Sequence, residues 1–358
     1  MIGKDGILEV KNFRDINIKD SFFDSLKEDY EEFESWFKKK SDKEAFIFES
    51  ESDLLAFLYL KVESEEVTDI EPNLPKKNRL KIGTFKIEPH GTRLGERFIK
   101  KMFDYALDKG LDEAYVTIFK KHDYLIKLFE KYGFKHCGTK TTDNGIEEVY
   151  IKCFSDENND VLIDYPVMPF KKNETNIYLM PIDPPYHTRL FPDSILNNED
   201  SSIVDDCSHT NSIHKVYIAF RDDIGLKRGD ILAVYRTKKG LDGPAKYKSV
   251  VTSFCVVEEV KEKQNFVSET DFIDYCRNYS IFTVEELEKW YKTKQRFTAI
   301  KMTYNLALKK RVIREFLLEE VGISENDRIN FLKISPNQFW QIKLKGMVDD
   351  ERTVIYKT

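Results

Sequence analysis

Residues Thr84 to Ala106 read TFKIEPHGTRLGERFIKKMFDYA. A β-branched and aromatic run enters a turn holding Gly91 and Gly95, after which Phe98, Met102, Tyr105 and Ala106 share one helical face until Gly110 ends it. A strand, a tight turn and a helix in that order present backbone N–H groups and the positive end of the helix to an anion, and phosphate suits such a place. Arg93, Arg97, Lys100 and Lys101 add positive charge around it. The same residues would also serve an ordinary strand-turn-helix whose glycines relieve backbone strain, and spacing leaves both readings open.

Working outward, the upstream chain predicts a strand near Ile7 to Phe13 and a helix over Phe22 to Phe37, with Phe22, Leu26, Tyr30, Phe33 and Phe37 at helical spacing. A hairpin of Ala45 to Phe48 and Leu54 to Val62 and a strand at Leu80 to Ile87 follow. Downstream come a strand at Ala114 to Phe119, a helix at His122 to Tyr132 stopped by Gly133, and closing strands at Phe134 and Glu147 to Cys153. This order argues for α/β (α+β) architecture, a mixed sheet flanked by helices. The polar, aperiodic SDENNDV, Ser155 to Val161, marks the boundary, giving a domain over 1–155, a linker over 156–174 and a domain over 175–358.

With the elements in place, Thr84 to Ala106 resembles motif A of the GNAT acetyltransferase family, in which R/Q-x-x-G-x-G/A cradles the pyrophosphate of acetyl-CoA. The stretch LIKLFEKYGFKHCG, Leu125 to Gly138, is similar to the helix and strand that follow in that family, and the resemblance spans residues 7 to 154. It implies acetyl-CoA as co-substrate, held by Phe85, Lys86 and Ile87 of the strand and by Arg93, Leu94, Gly95, Glu96 and Arg97 at the turn and helix start. Counting back from Gly95 sets Arg93 at the motif's first glycine and His90 at its usual Arg or Gln. The resemblance further implies attack of a neutral amine on the thioester, with strand N–H groups polarising the carbonyl. Phe129 stands where the family commonly has a tyrosine that protonates the leaving thiolate, and phenylalanine has no such proton. Tyr124 and Tyr132 flank it; Tyr132 is the candidate by spacing, its alternative being packing beside Gly133. Glu88 and His122 are the candidate bases, with a solvated turn residue and an N-cap built by Asp123 as their plainer readings.

The second half predicts strands at Asn176 to Met180, Lys215 to Phe220, Asp230 to Tyr235 and Ser249 to Val260, then helices at Val284 to Tyr291 and Leu306 to Val321 and a last strand at Trp340 to Leu344. Short strands parted by turns such as Lys227-Arg228-Gly229-Asp230 point to a small barrel. The run KVYIAFRDDIGLKRGDILAVYRTKKG with YKSVVTSFCVVEEV resembles PUA-like domains of the ASCH branch, over roughly residues 175 to 345. That resemblance implies binding of RNA or modified bases, with Arg221, Arg236, Lys238 and Lys248 as candidate contacts. It also leaves open a nucleoside amidohydrolase, which would require a catalytic lysine. From Lys289 to Arg314 nine basic residues and no acidic one, Lys292, Lys294, Arg296, Lys309, Lys310 and Arg311 among them, are interleaved with Trp290, Tyr291, Phe297 and Tyr304. Cations for phosphates and aromatics for stacking suit single-stranded or looped RNA; a solvated face over core aromatics is the alternative.

The 358 residues carry 57 basic and 63 acidic side chains, and a formal charge of -6 argues against a general nucleic-acid binder. The mean hides a reversal: residues 1–70 hold 10 basic and 19 acidic groups, residues 71–140 hold 16 and 9. Five scattered cysteines without a C-x-x-C pair suit a reducing compartment. Apolar runs such as Leu54 to Leu60 fall far short of a membrane span, so a cytoplasmic protein without membrane contact is expected. Cys207, His209 and His214 are residue types zinc could use, but three ligands are too few and no metal is expected. The sequence thus predicts an acetyl-CoA-dependent N-acetyltransferase joined to a domain that recruits RNA or an RNA-associated protein. A CoA-binding reader without turnover is the competing class.

Overall fold

The computed structural model describes residues 6–50, 53–88, 93–191, 212–348 and 354–357. His90, Gly91, Cys207 and His209 lie outside them. The chain divides into two compact units between Asp156 and Glu157.

The first unit runs β1 (Gly6–Asn12), α1 (Asp24–Asp29), α2 (Phe33–Lys39), β2 (Glu44–Ser50), β3 (Leu54–Glu63), β4 (Arg79–Ile87), α3 (Leu94–Asp108), β5 (Glu113–Phe119), α4 (Asp123–Lys131), β6 (Lys135–Thr142) and β7 (Gly145–Cys153). Its seven strands form one sheet in the order β1-β2-β3-β4-β5-β7-β6, antiparallel except for the β4–β5 pair. One face carries an aromatic core of Phe13, Phe22, Phe23, Phe33, Phe37 and Phe57 beneath α1 and α2. Helices α3 and α4 follow β4 and β5, and their Phe98, Phe103 and Phe129 are wholly buried. The single helix predicted over Phe22 to Phe37 is broken: Tyr30 takes extended angles (φ −136°, ψ 103°) and its hydroxyl donates to Glu147 Oε1 at 2.7 Å. Helical periodicity persists across such a break because both halves bury the same face.

Gly138 on β6 lies under the backbone of Glu71, and a Cβ there would stand 2.3 Å from the Glu71 carbonyl oxygen. Gly138→Ala is expected to destabilise the first unit by about 1–3 kcal/mol, the usual cost of overpacking. Urea melts check this, and an unchanged midpoint would mean that the Glu71 segment yields without strain.

The second unit contains β8 (Met168–Lys171), β9 (Ile177–Ile182), α5 (Pro184–Leu190), β10 (His214–Ala219), β11 (Ile231–Arg236), α6 (Ala245–Lys248), β12 (Val250–Glu262), α7 (Glu269–Arg277), α8 (Val284–Thr293), β13 (Thr298–Ile313), α9 (Arg314–Glu319), β14 (Leu332–Ile334), α10 (Pro336–Lys345) and β15 (Val354–Lys357). Six strands form a mixed sheet in the order β10-β13-β12-β11-β9-β14 with one core on each face. Tyr165 and Met168, within the predicted linker, are fully buried in this unit. Two elements differ from the sequence reading. Leu306 to Ile313 is the end of a sixteen-residue strand, because its pairing with β12 outweighs helix propensity. Trp340 lies in a helix started by a capping box of Ser335 and Gln338 with Pro336 at the first turn.

Candidate active site

β4 and β5 run parallel, yet they pair only over Arg79–Ile82 and Glu113–Val116. Past that point Gly83 to Ile87 of β4 and Thr117 to Phe119 of β5 have no ladder with each other, so the two strands splay into a wedge at their carboxyl ends. The cause is local. Tyr59 pairs with Thr84 but Leu60 pairs with Ile82, which leaves Gly83 as the extra residue of a bulge, and bulges bend a strand. A Cβ at Gly83 would come within 2.8 Å of the Tyr59 ring, so only glycine fits without a shift. Phe85, packed at 5.8 Å on Phe98 and 6.0 Å on Phe129, ties the splayed part of β4 to α3 and α4.

The wedge opens into a cavity of about 870 Å³. Backbone and side chains of Gly83 to Ile87 and Val116 to Phe119 line it, with α1, α2 and the start of α4 closing its sides. At the carboxyl end of β5 stand acidic groups. Glu147, 4% exposed, accepts from Tyr30 (2.7 Å) and Thr117 (3.2 Å), and burial together with Glu147 pushes the Tyr30 phenol well above its ordinary range, so it remains a donor. His122 Nε2 lies 2.9 Å from the buried carboxylate of Asp29, which also pairs with Lys121. Deeper on the sheet, Lys40, Lys61, Lys81 and Lys140 line the same cavity.

The predicted residues distribute as follows. Phe85, Lys86 and Ile87 line the cavity, and the Lys86 ammonium donates to Ser25 Oγ (2.7 Å) and the Phe22 carbonyl. Glu88 sits just past β4, ion-paired to Lys86 at 3.3 Å and outside the lining. Leu94, Gly95 and Glu96 form the first turn of α3 with Arg93 at its N-cap; Glu96 pairs with Lys131 (2.6 Å) and Arg93 (3.5 Å). Arg97 is buried with its guanidinium 4.9 Å from the Phe48 ring centroid, and Lys100 pairs with Asp104. His122 lines the cavity, and it rather than Asp123 occupies the N-cap of α4. Tyr132 is wholly buried and lies outside the lining, so the proton donor it was expected to be is not brought to the cavity; Tyr124, on the first turn of α4, is. The α4 face that carries Phe129 must pack on the sheet, and Tyr132, three residues on, follows it inward. Asp29, Tyr30 and Glu147 escape the sequence reading because Tyr30 meets Glu147 across 117 residues and Asp29 meets His122 across 93, with no shared motif.

In the second unit Arg221 and Arg236 are tied to backbone carbonyls, of Asn330 and Lys248 among others, whereas Lys238 is exposed and Lys248 half-buried. Lys292 and Arg296 are exposed and pair with Glu269 and Asp222; Lys294 is exposed beside the Phe220 ring. Lys309 and Lys310 are exposed on β13 and Arg311 is half-buried there. Phe297 and Tyr304 are fully buried, whereas Tyr291, packed on Phe272, and Trp290, packed on Phe282, are half-buried. Among the described residues no helix is long and apolar enough to cross a membrane, and no cluster of three metal-ligating side chains occurs.

No family model and no curated protein sequence matches the chain. Similar solved structures include Ard1 from Thermoplasma volcanium, 13% identical over 42% of this chain and 97% of that one, with a TM-score of 0.32. The GNAT-family acetyltransferase from Streptococcus pneumoniae is 11% identical over 41% of this chain and 98% of its own, with a TM-score of 0.30. ASCH from Zymomonas mobilis is 9% identical over 50% and 98%, with a TM-score of 0.32. Each spans about half of this chain.

Proposed function

We propose that the first unit is an acetyl-CoA-dependent N-acetyltransferase and that the second unit recruits its acceptor, an amine on RNA or on an RNA-associated protein. The splayed β4–β5 wedge carries the reading. It exposes backbone N–H and C=O groups of Gly83 to Ile87 and Thr117 to Phe119 into a cavity, and an extended amide-bearing arm such as pantetheine satisfies such edges as an added strand would. The start of α3 follows directly, and first-turn N–H groups of a helix have no acceptor inside it, so they suit the pyrophosphate.

Acetyl-CoA supplies an activated acetyl thioester when bound; the chain supplies position, proton transfer and exclusion of water. The acidic end of the cavity draws in the acceptor as an ammonium, with Glu147 and Asp29 as its counter-charges. His122, held by Asp29, takes the proton so that a neutral amine attacks. The C–N bond forms as the C–S bond breaks, and backbone N–H groups of the splayed β4 edge stabilise the charge that gathers on the carbonyl oxygen. Tyr124, the tyrosine of α4 at the cavity, protonates the departing thiolate and is reprotonated by the proton that the attacking nitrogen sheds on becoming an amide.

Calorimetric titration with acetyl-CoA, followed by labelled acetyl transfer to total RNA and protein extract, tests the proposal. Label in either fraction supports a transferase and names the acceptor class. Tight binding without thiol release would make the chain a CoA-dependent reader, and no binding would overturn the reading altogether. Arg93→Glu is expected to weaken acetyl-CoA binding about tenfold, the effect of setting one like charge beside the pyrophosphate at the helix start. Unchanged affinity would remove Arg93 from the site. Reversing Lys309 and Lys310 together is expected to lower the salt slope of RNA binding by about one for each phosphate no longer neutralised; an unchanged slope makes that strand end a solvated face.

A further inference from the structure

The deep end of the cavity is cationic in a way the fold does not require. Lys61 and Lys81 stand directly opposite each other on β3 and β4, a like-charge cross-strand pair that is destabilising by itself. Lys140 reaches the same place from β6, and Lys40 from the end of α2. Two of the four are answered. Lys61 donates to Glu63 Oε1 at 2.8 Å, and Lys140 pairs with Asp69 at 2.7 Å. The second oxygen of Glu63 accepts from Tyr115 at 2.5 Å, so that carboxylate is fully engaged. Lys81 has no ion pair among the described residues, and its ammonium lies 5.5 Å from the Tyr115 ring centroid. Burial, with Lys140 and Lys61 acting in the same direction and Glu63 and Asp69 against it, pushes the Lys81 amine below its ordinary range. A half-buried cation that is costly to keep charged, aimed into a cavity beside other cations, is a group waiting for an anion.

We infer that Lys81, with Lys61, Lys140 and Lys40, binds an oxyanion on the acceptor molecule, so that the acceptor is an amine carrying its own carboxylate or phosphate. This rests on the transferase reading for the amine end, where Asp29 and Glu32 also line the cavity. Carrying both signs of charge, the cavity orients such a molecule: the oxyanion seats on the lysines and the ammonium turns to Asp29 and Glu32, where the thioester is expected. A purely cationic polyamine would meet the lysines as like charges.

The test compares ethanolamine with phosphoethanolamine, and 1,4-diaminobutane with 4-aminobutyrate, as acceptors in thiol-release assays, for the wild type, Lys81→Met and Lys81→Arg. The anionic member of each pair is expected to be preferred. Lys81→Met should raise its KM about 10- to 100-fold, the worth of one charge-assisted hydrogen bond, and Lys81→Arg should restore most of it. Phosphate preferred over carboxylate, or the reverse, identifies the oxyanion. Lys81→Met should also melt at or above the wild-type temperature, since it removes a desolvated charge, which separates lost binding from misfolding. A second readout is independent of turnover: inorganic phosphate, added with CoA at saturation, should raise the melting temperature of the wild type more than that of Lys81→Met. Acetyl-CoA binding with equal use of both members of each pair, unchanged in Lys81→Met, would overturn the inference and leave the transferase standing. Failure to bind acetyl-CoA would overturn the transferase, and the phosphate shift, measured then without CoA, would still support or overturn the oxyanion site.

Discussion

His122→Ala is expected to lower kcat for acetyl transfer by about 10²- to 10³-fold while leaving acetyl-CoA affinity unchanged, the usual worth of a positioned general base. The split follows from geometry. The imidazole stands at the start of α4 in the cavity wall, 2.9 Å from Asp29, whereas the surfaces assigned to the pantetheine and pyrophosphate belong to β4, β5 and α3. Asp29→Asn keeps the shape of the partner but removes its charge, and because Asp29 is also a counter-charge of the acceptor ammonium it should both lower kcat and raise the KM of the acceptor. A loss below threefold in His122→Ala would remove the imidazole from the chemistry and leave Glu147 as the base the cavity offers; Glu147→Gln would then carry the full effect.

The second unit should lose several kcal/mol of stability between pH 6.5 and pH 3 through a single side chain. His187 is completely buried on α5, with Nε2 2.8 Å from Thr252 Oγ1, and burial, then the neighbouring Arg236 and Arg311, push its pKa down from 6.5 to about 3. In the unfolded chain the same imidazole takes up a proton near pH 6.5. The stability that comes from keeping it neutral is therefore fully present above pH 6.5 and disappears as pH falls toward 3, because the unfolded state then binds the extra proton. Urea midpoints read by tryptophan fluorescence in a Trp36→Phe background report this unit through Trp290 and Trp340. His187→Gln keeps a polar group beside Thr252 but cannot titrate. Its midpoint should fall less steeply over this range than that of the parent chain, whatever its stability at pH 7. Parallel slopes would show that carboxylates elsewhere account for the acid sensitivity.

Local sequence patterns carried much of the fold. The strand and the helix of Thr84 to Ala106 appear as β4 and α3, and Gly110 and Gly133 follow the helices they were expected to stop. These signals are legible because they depend on a residue and its near neighbours: apolar spacing, a cap, a positive φ. Ser335, Pro336 and Gln338 belong to the same class, a start signal present in the sequence beside the apolar run around Trp340. The strand at Leu306 to Ile313 differs in kind. Leucine, lysine and arginine favour helix locally, and only the long antiparallel partner Val250–Glu262 turns them into a ladder.

The candidate site divides along the same line. By itself the sequence determined which segments supply the strand that lines the cavity, the start of α3 and the imidazole in the cavity wall, since Phe85 to Ile87, Arg93 to Gly95 and His122 are short-range features. It could not determine which way side chains point once helices pack. Tyr132, attractive by spacing, is drawn into the interior because the face that carries Phe129 has to cover the sheet. Nor could it foresee the bulge at Gly83, the meeting of Tyr30 with Glu147 or the opposition of Lys61 and Lys81. Each of these is a property of register between strands or of contact between distant segments. Register is decided by the burial of whole faces at once, which only the assembled tertiary structure specifies.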